Sequence, residues 1–172
     1  MKVRLMVAGV VALLAVASAA GAQDRGDQRL ADAIAASVRS YPQFSIFDHV
    51  SGEVDRGTVV LTGKVTMPYK KTDIERRVAG MDGVREIRSE ITVLPVSSFD
   101  DDLRYRVSRA IYGNPTFWTY AAMANPPIHI IVENGRVTLT GIVNNNVERM
   151  KARSLATGLG ELSITNELRA ER

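Results

Sequence analysis

Thr58–Val65 reads TVVLTGKV, and Arg136–Val143 reads RVTLTGIV, identical at five of eight positions. In each stretch every second residue is apolar or glycine, the period of a strand with one buried face. Immediately upstream stand Arg56-Gly57 and Asn134-Gly135. Asn-Gly is a strong signal for a two-residue hairpin turn in which both residues take positive φ, and Arg-Gly is a weaker form of it. A two-residue loop pairs Val132 with Val137 and Ile130 with Leu139, and it sets Ile128 opposite Gly141. In the first copy the same face carries Val54, Val59, Leu61, Gly63 and Val65. A glycine in mid-strand weakens the strand unless something must approach closely there. Gly63 and Gly141 are expected to let a covering helix sit down on the sheet.

The repeat extends outward from these strands. Leu30, Ile34, Val38, Pro42 and Phe44 fall on Leu103, Val107, Ile111, Pro115 and Phe117 at a constant offset of 73. The central strands match at 78, so the second copy carries five extra residues ahead of its hairpin, and IRSEI from Ile87 matches ITNEL from Ile164 at 77. The spacing i, i+4, i+8 predicts an amphipathic helix after Asp27, and another after Ser98 with Asp100, Asp101 and Asp102 in its first turn. Acids there complement the positive helix start. A second helix follows Pro68 with Ile74, Val78 and Met81 on one side. Its counterpart runs from about Asn146 with Ala152, Ala156 and Leu159. Gly80 and Gly83, and likewise Gly158 and Gly160, close these helices. A last strand alternates Ile87, Ser89, Ile91 and Val93, matched by Ile164, Asn166 and Leu168. Two units in the order helix, strand, strand, helix, strand result. They cover residues 24–96 and 97–172, with the joint near Pro95 to Ser98, and this is a duplication, since a solenoid needs three or more repeats.

The first 22 residues read as an export signal: Lys2 and Arg4, then an apolar run from Leu5 to Ala17, then Ala20-Gly21-Ala22 as a small-residue cleavage site. That run is shorter than a membrane span requires. A periplasmic location is therefore expected. The chain has no cysteine, which excludes disulfides, thiolate metal sites, a thiol nucleophile and lipid modification after the leader. Of 22 basic residues against 19 acidic, Lys2 and Arg4 belong to the leader, so the mature chain is near neutral and nucleic acid is not an expected partner.

A strand ending in LTG plus a hydrophobic residue, a Gly turn before it, and a helix, glycines and a V-x-N-x-L-like strand after it resemble the BON domain. The resemblance spans nearly all of Asp27 to Ala170. The two-copy exported arrangement resembles bacterial osmotically inducible periplasmic proteins of that family. It implies an α+β chain of two tandem αββαβ domains, each a three-stranded mixed sheet with two helices on one face. It further implies no catalysis and association with phospholipid surfaces or envelope proteins, often tied to envelope integrity under osmotic or other stress. Ser89 departs from the pattern where Asn166 keeps it, and the Phe117 to Pro127 segment is longer than its counterpart.

The residues themselves offer no catalytic constellation. His49 and His129 are the only histidines, no ligand spacing surrounds them, and alternation places His129 on the sheet surface opposite Leu139's side. The glycine spacing from Gly57 to Gly63 is wrong for a phosphate loop. Asp100 to Asp102 lack the alternating ligands of a calcium loop. No Gly-x-Ser-x-Gly element is present. An enzyme, a cofactor, a metal and a small-molecule substrate are accordingly not expected. Function is expected on the outer surface, because two small domains leave little interior for a pocket. The richest stretch is Tyr105 to Tyr120. Helical spacing puts Tyr105, Arg106, Arg109 and Tyr112 away from Leu103, Val107 and Ile111, and Trp118 and Tyr120 follow. Polar-tipped aromatics beside arginines suit a phospholipid headgroup zone. Packing of Trp118 and Tyr120 over a small core or between the domains is the other reading of the same residues. A protein-binding or chaperone-like role in the periplasm is the alternative function. Gly57, Gly63, Gly83, Gly135, Gly141 and Gly160 are the expected structural glycines.

Overall fold

The repeated strands are the central strands of two separate sheets. A computed structural model of the chain describes residues 10–171, and side chains from residue 23 onward. The expectation of a leader over residues 1–22 lies wholly outside the residues whose side chains are described. In the first unit, α1 (Val10–Arg39) is followed by β1 (His49–Asp55), β2 (Thr58–Val65), α2 (Pro68–Ala79) and β3 (Glu86–Val93). In the second, α3 (Ser98–Tyr112) leads into a 3₁₀ turn at Pro115–Phe117, the short α4 (Trp118–Ala121), β4 (Ile128–Glu133), β5 (Arg136–Val143), α5 (Asn146–Ala156) and β6 (Ser163–Ala170). Each sheet places its repeated strand in the middle, antiparallel to the hairpin partner and parallel to the last strand. The chain is an α+β tandem of mixed three-stranded sheets.

The register follows from the turns. Arg56 and Gly57 have φ of 50° and 80°, Asn134 and Gly135 of 51° and 74°, so both loops are the positive-φ turns whose twist matches the strands. Val132 faces Val137, Ile130 faces Leu139, and Ile128 faces Gly141. Alternation then delivers Val59, Leu61 and Val65 to one core with Ile34, Val38, Ile74, Val78 and Ile91. It delivers Val137, Leu139 and Val143 to a second core with Leu103, Val107, Ile111, Phe117 and Ala152.

Three local expectations are corrected. Gly63 and Gly141 do not make room for a helix. At φ of 135° and 122°, a Cβ would stand 2.1 Å from the His49 carbonyl oxygen and 1.9 Å from that of Pro127, so the close neighbour is the backbone entering the edge strand. Asp27 does not begin a helix, because α1 runs unbroken from Val10; its carboxylate instead accepts from the Arg56 amide at 2.9 Å. The cap of α3 is Ser97, one residue earlier than expected, whose hydroxyl accepts from the Asp100 amide at 3.2 Å. Asp100 does more than sit at a helix start. Fully buried, it accepts from the Asn134 and Gly135 amides, each at 2.8 Å, and so pins the hairpin turn to α3. Asp27 and Asp100 are related by the same offset of 73, and the two copies share this tie.

The Ser89 departure also has a structural meaning. In the second unit the Asn166 side chain donates to the Arg149 carbonyl at 3.0 Å, joining α5 to β6. The shorter Ser89 cannot span that gap, and its hydroxyl is buried without a partner.

Candidate functional site

α3 carries the candidate surface. Leu103, Val107 and Ile111 are fully buried, and the spacing that buries them turns Tyr105 and Arg109 outward, four residues apart on one stripe. The stripe ends at Gly113, whose carbonyl accepts from the Trp118 indole at 3.4 Å. Trp118 and Tyr105 are each 62% exposed, large values for aromatic side chains in a folded domain, and Met123 lies exposed just beyond them. Arg106 is exposed as well. It donates to the Leu159 carbonyl at 2.6 Å and sits 5.9 Å from the Phe99 ring centroid, so it faces the hairpin end of α3. Phe99 and Leu162 are exposed at that end.

The other two expected contact residues are turned inward. The Tyr112 hydroxyl donates to the Ile128 carbonyl at 2.5 Å and accepts the Ile128 amide at 3.1 Å. Burial raises its pKa well above that of a free phenol. Tyr120 is buried; its hydroxyl donates to Glu148 at 2.6 Å and accepts from the Asn144 amide at 3.0 Å. Burial, followed by the bond to Glu148, pushes its pKa up to about 12. Both tyrosines thus brace the second domain, and Tyr105, Arg106, Arg109 and Trp118 make up its outer surface. A helical wheel cannot see this, because the partners come from Ile128 on β4, from Asn144 after β5 and from Glu148 on α5.

The residues through which the units touch carry no signal in the sequence pattern. The short segment after α1 in the first unit reaches across. Ile46 and Phe47 pack against the second core, and the Ile46 carbonyl accepts from the Ile130 amide at 2.7 Å. Phe47 meets Tyr105 edge-on at 5.4 Å. Lys64 and Glu133 form an ion pair between the two sheets. His129 is not a solvated surface histidine. Its Nδ1 lies 2.7 Å from the Asp48 carbonyl, which can only accept, so that nitrogen carries the proton. Its ring lies 5.6 Å from Phe44 and 6.2 Å from His49. Burial lowers both imidazole pKa values, and for His49 the His129 and Arg169 charges act in the same direction.

A buried ion pair anchors the reaching segment. Asp48, fully buried, accepts from Lys70 Nζ at 2.6 Å, the Thr66 amide and hydroxyl at 2.7 and 2.8 Å, and the Ser45 amide and hydroxyl at 2.9 and 2.7 Å. Burial disfavours the charged carboxylate, but these donors outweigh it and hold the pKa below the ordinary range.

Between α1, β1 and the second unit lies an open surface cleft of about 1210 Å³. Among the described residues, no cluster of His, Asp and Glu is placed to hold a metal ion, and no helix is long and apolar enough to cross a membrane.

No curated protein matches the chain. Among solved structures it is similar to CdsD, a structural protein of the type III secretion system of Chlamydia trachomatis. The identity is 14%, the match covers 78% of this chain and 90% of that one, and the TM-score is 0.28. A C-terminal domain of CdsD is similar at 13% identity, covering 79% and 96%, with a TM-score of 0.27. The BON domain model matches residues 26–95 and again residues 100–171. These two matches take in both sheets, and the chain belongs to the BON domain family, which is associated with phospholipid and membrane binding in the cell envelope.

Proposed function

We propose that this is an exported, non-enzymatic protein of the periplasm that docks peripherally on anionic phospholipid through its second domain, in the service of envelope integrity under osmotic or other stress. The observation that carries the reading is the stripe of Tyr105, Arg109 and Trp118, two highly exposed aromatics on either side of an exposed arginine. Rings with a polar tip settle in the headgroup zone, and guanidinium pairs with phosphate in two-point geometry. Arg106 extends the basic surface toward Phe99. Tyr112 and Tyr120 hold the platform rigid from behind.

Trp118 is the chain's only tryptophan, so its emission reports on this surface alone. Titration with phosphatidylglycerol vesicles is expected to shift the emission to the blue and to sediment the protein, whereas phosphatidylcholine vesicles leave both unchanged. Added salt reverses the binding by screening. Arg109→Glu weakens it, and Tyr105→Ala does so with less salt dependence. Unchanged emission and no sedimentation with anionic vesicles would refute the reading.

A further inference from the structure

The two edge strands of the repeat are treated differently. In the second unit, four of the six outward backbone groups at Ile128, Ile130 and Val132, on the edge of β4 that faces away from β5, are bonded. Tyr112 satisfies both the amide and the carbonyl of Ile128, the Ile46 carbonyl takes the Ile130 amide, and Arg104 Nη2 donates to the Val132 carbonyl at 2.7 Å. The corresponding positions on β1 are Val50, Gly52 and Val54, 78 residues earlier. None of them has a hydrogen-bond partner on that side among the described residues. The sealing residues have been replaced as well. Arg39 stands where Tyr112 does and Ala31 where Arg104 does, each at the offset of 73. Both of these line the cleft beside β1.

An open edge next to a cleft is a template for an added strand. The cleft is also polarised along the strand. Asp24, Asp32, Glu53 and Asp55 stand toward one end, and Arg39 and Arg169 toward the other, near His49. We infer that β1 takes up an extended polypeptide segment carrying basic side chains, which pairs with Val50, Gly52 and Val54 as a fourth strand of the first sheet. Backbone bonding supplies affinity without demanding one sequence, and the acids at the Asp55 end select lysine or arginine there. This surface is separate from the aromatic stripe of the second domain. A chain that binds lipid through one and an extended client through the other couples the two.

The test uses the whole chain and a fluorescein-labelled peptide of alternating lysine and valine. Saturable binding is expected in anisotropy, with the largest amide shifts in nuclear magnetic resonance at Val50, Gly52 and Val54. The glutamate-valine counterpart, and the lysine-valine peptide methylated on alternate backbone amides, bind at least about tenfold more weakly. Glu53 and Asp55 are exposed and take no part in the core, so the E53K/D55K variant keeps its fold and loses a similar factor. The A31R/R39Y variant, which carries the seals of the second unit, also blocks the site. Vesicle binding stays unchanged in both. Binding that ignores backbone methylation, shifts that fall elsewhere, or indifference to E53K/D55K would overturn the inference. So would sedimentation as a dimer with β1 already protected from exchange, which assigns the edge to a second copy.

Discussion

At equivalent places the two units use opposite chemistry to hold the segment between first helix and hairpin. In the first, Asp48 and Lys70 form a buried ion pair with Thr66 attached; in the second, Tyr120 and Glu148 form a neutral-to-carboxylate bond with Asn144 attached. Thr66 and Lys70 correspond to Asn144 and Glu148 at the offset of 78. The difference goes with what each segment does. The second unit's longer segment folds back as α4 and places Tyr120 in its own core, against Phe117. The first unit's short segment sends Ile46 and Phe47 onto the other unit. Tyr41 and Phe44 hold its start on the first core, the Tyr41 hydroxyl donating to Asp73 at 2.7 Å, and beyond them the fully bonded Asp48 carboxylate fixes its course by geometry. A buried charge locates the part of the segment that crosses over, and buried rings anchor the parts that stay home.

Removing one side of each pair gives the largest contrast. Lys70→Met leaves the Asp48 carboxylate buried without its counter-charge and is expected to cost about 3–5 kcal/mol in urea unfolding. Tyr120→Phe keeps the ring and loses only its hydroxyl bonds, at about 1–2 kcal/mol. Equal costs would mean that the ion pair is no more than an ordinary hydrogen bond.

Gly141→Ala is next. It combines a positive φ with a Cβ set against the Pro127 carbonyl, and a loss of about 3 kcal/mol is expected. Gly158→Ala, also at positive φ but with open space around it, should lose only about 1 kcal/mol. If the two behave alike, backbone conformation and not the close approach explains the mid-strand glycines.

The joint responds to pH through His49 and His129. Both have folded pKa values below that of the unfolded chain, near 6.5, so the unfolded state binds more protons as pH falls through that value. Stability therefore declines from about pH 7 downward until the folded imidazoles themselves titrate. The lowered carboxyls of Asp48 and Glu148 contribute only nearer pH 4, where their stabilisation is lost on acidification. Urea midpoints between pH 7.5 and 5.5 isolate the histidines. His129→Gln should flatten that slope, and an unaltered slope in the variant would place the pH response elsewhere.

The smallest effect is a gain. Ser89→Asn gives the first unit the bond that Asn166 makes in the second, aimed at the Lys71 carbonyl, which corresponds to that of Arg149. An increase of about 0.5–1.5 kcal/mol is expected in the same unfolding experiment. No gain would show that α2 sits too far from β3 for the tie.

The repeat made most of the fold legible. Asn134-Gly135 and strict alternation define the hairpin register down to Ile128 opposite Gly141, because turn geometry and a two-residue period leave one solution. What local patterns could not carry was contact between distant segments. Tyr112 reads as outward on a helical wheel, yet the edge of β4 draws its hydroxyl in. His129 reads as a surface residue on a strand, yet the other unit covers it. The offset of five residues ahead of the second hairpin was the available clue, since it says that the two segments cannot run the same course. Tyr105, Arg109 and Trp118 read as outward and are exposed, although Phe47 meets the edge of Tyr105.

The capping of β4 by Ile46 and Asp48 also imposes an order in time. A chain is made from its N-terminus, and its domains fold as units as they emerge. The Asp48 carbonyl precedes His129 by 81 residues, so the cap is already in place when the second hairpin forms. The later edge strand is thus never left waiting for its cover, whereas exchanging the two units in sequence would expose it for the whole interval in which its cap is still to be made.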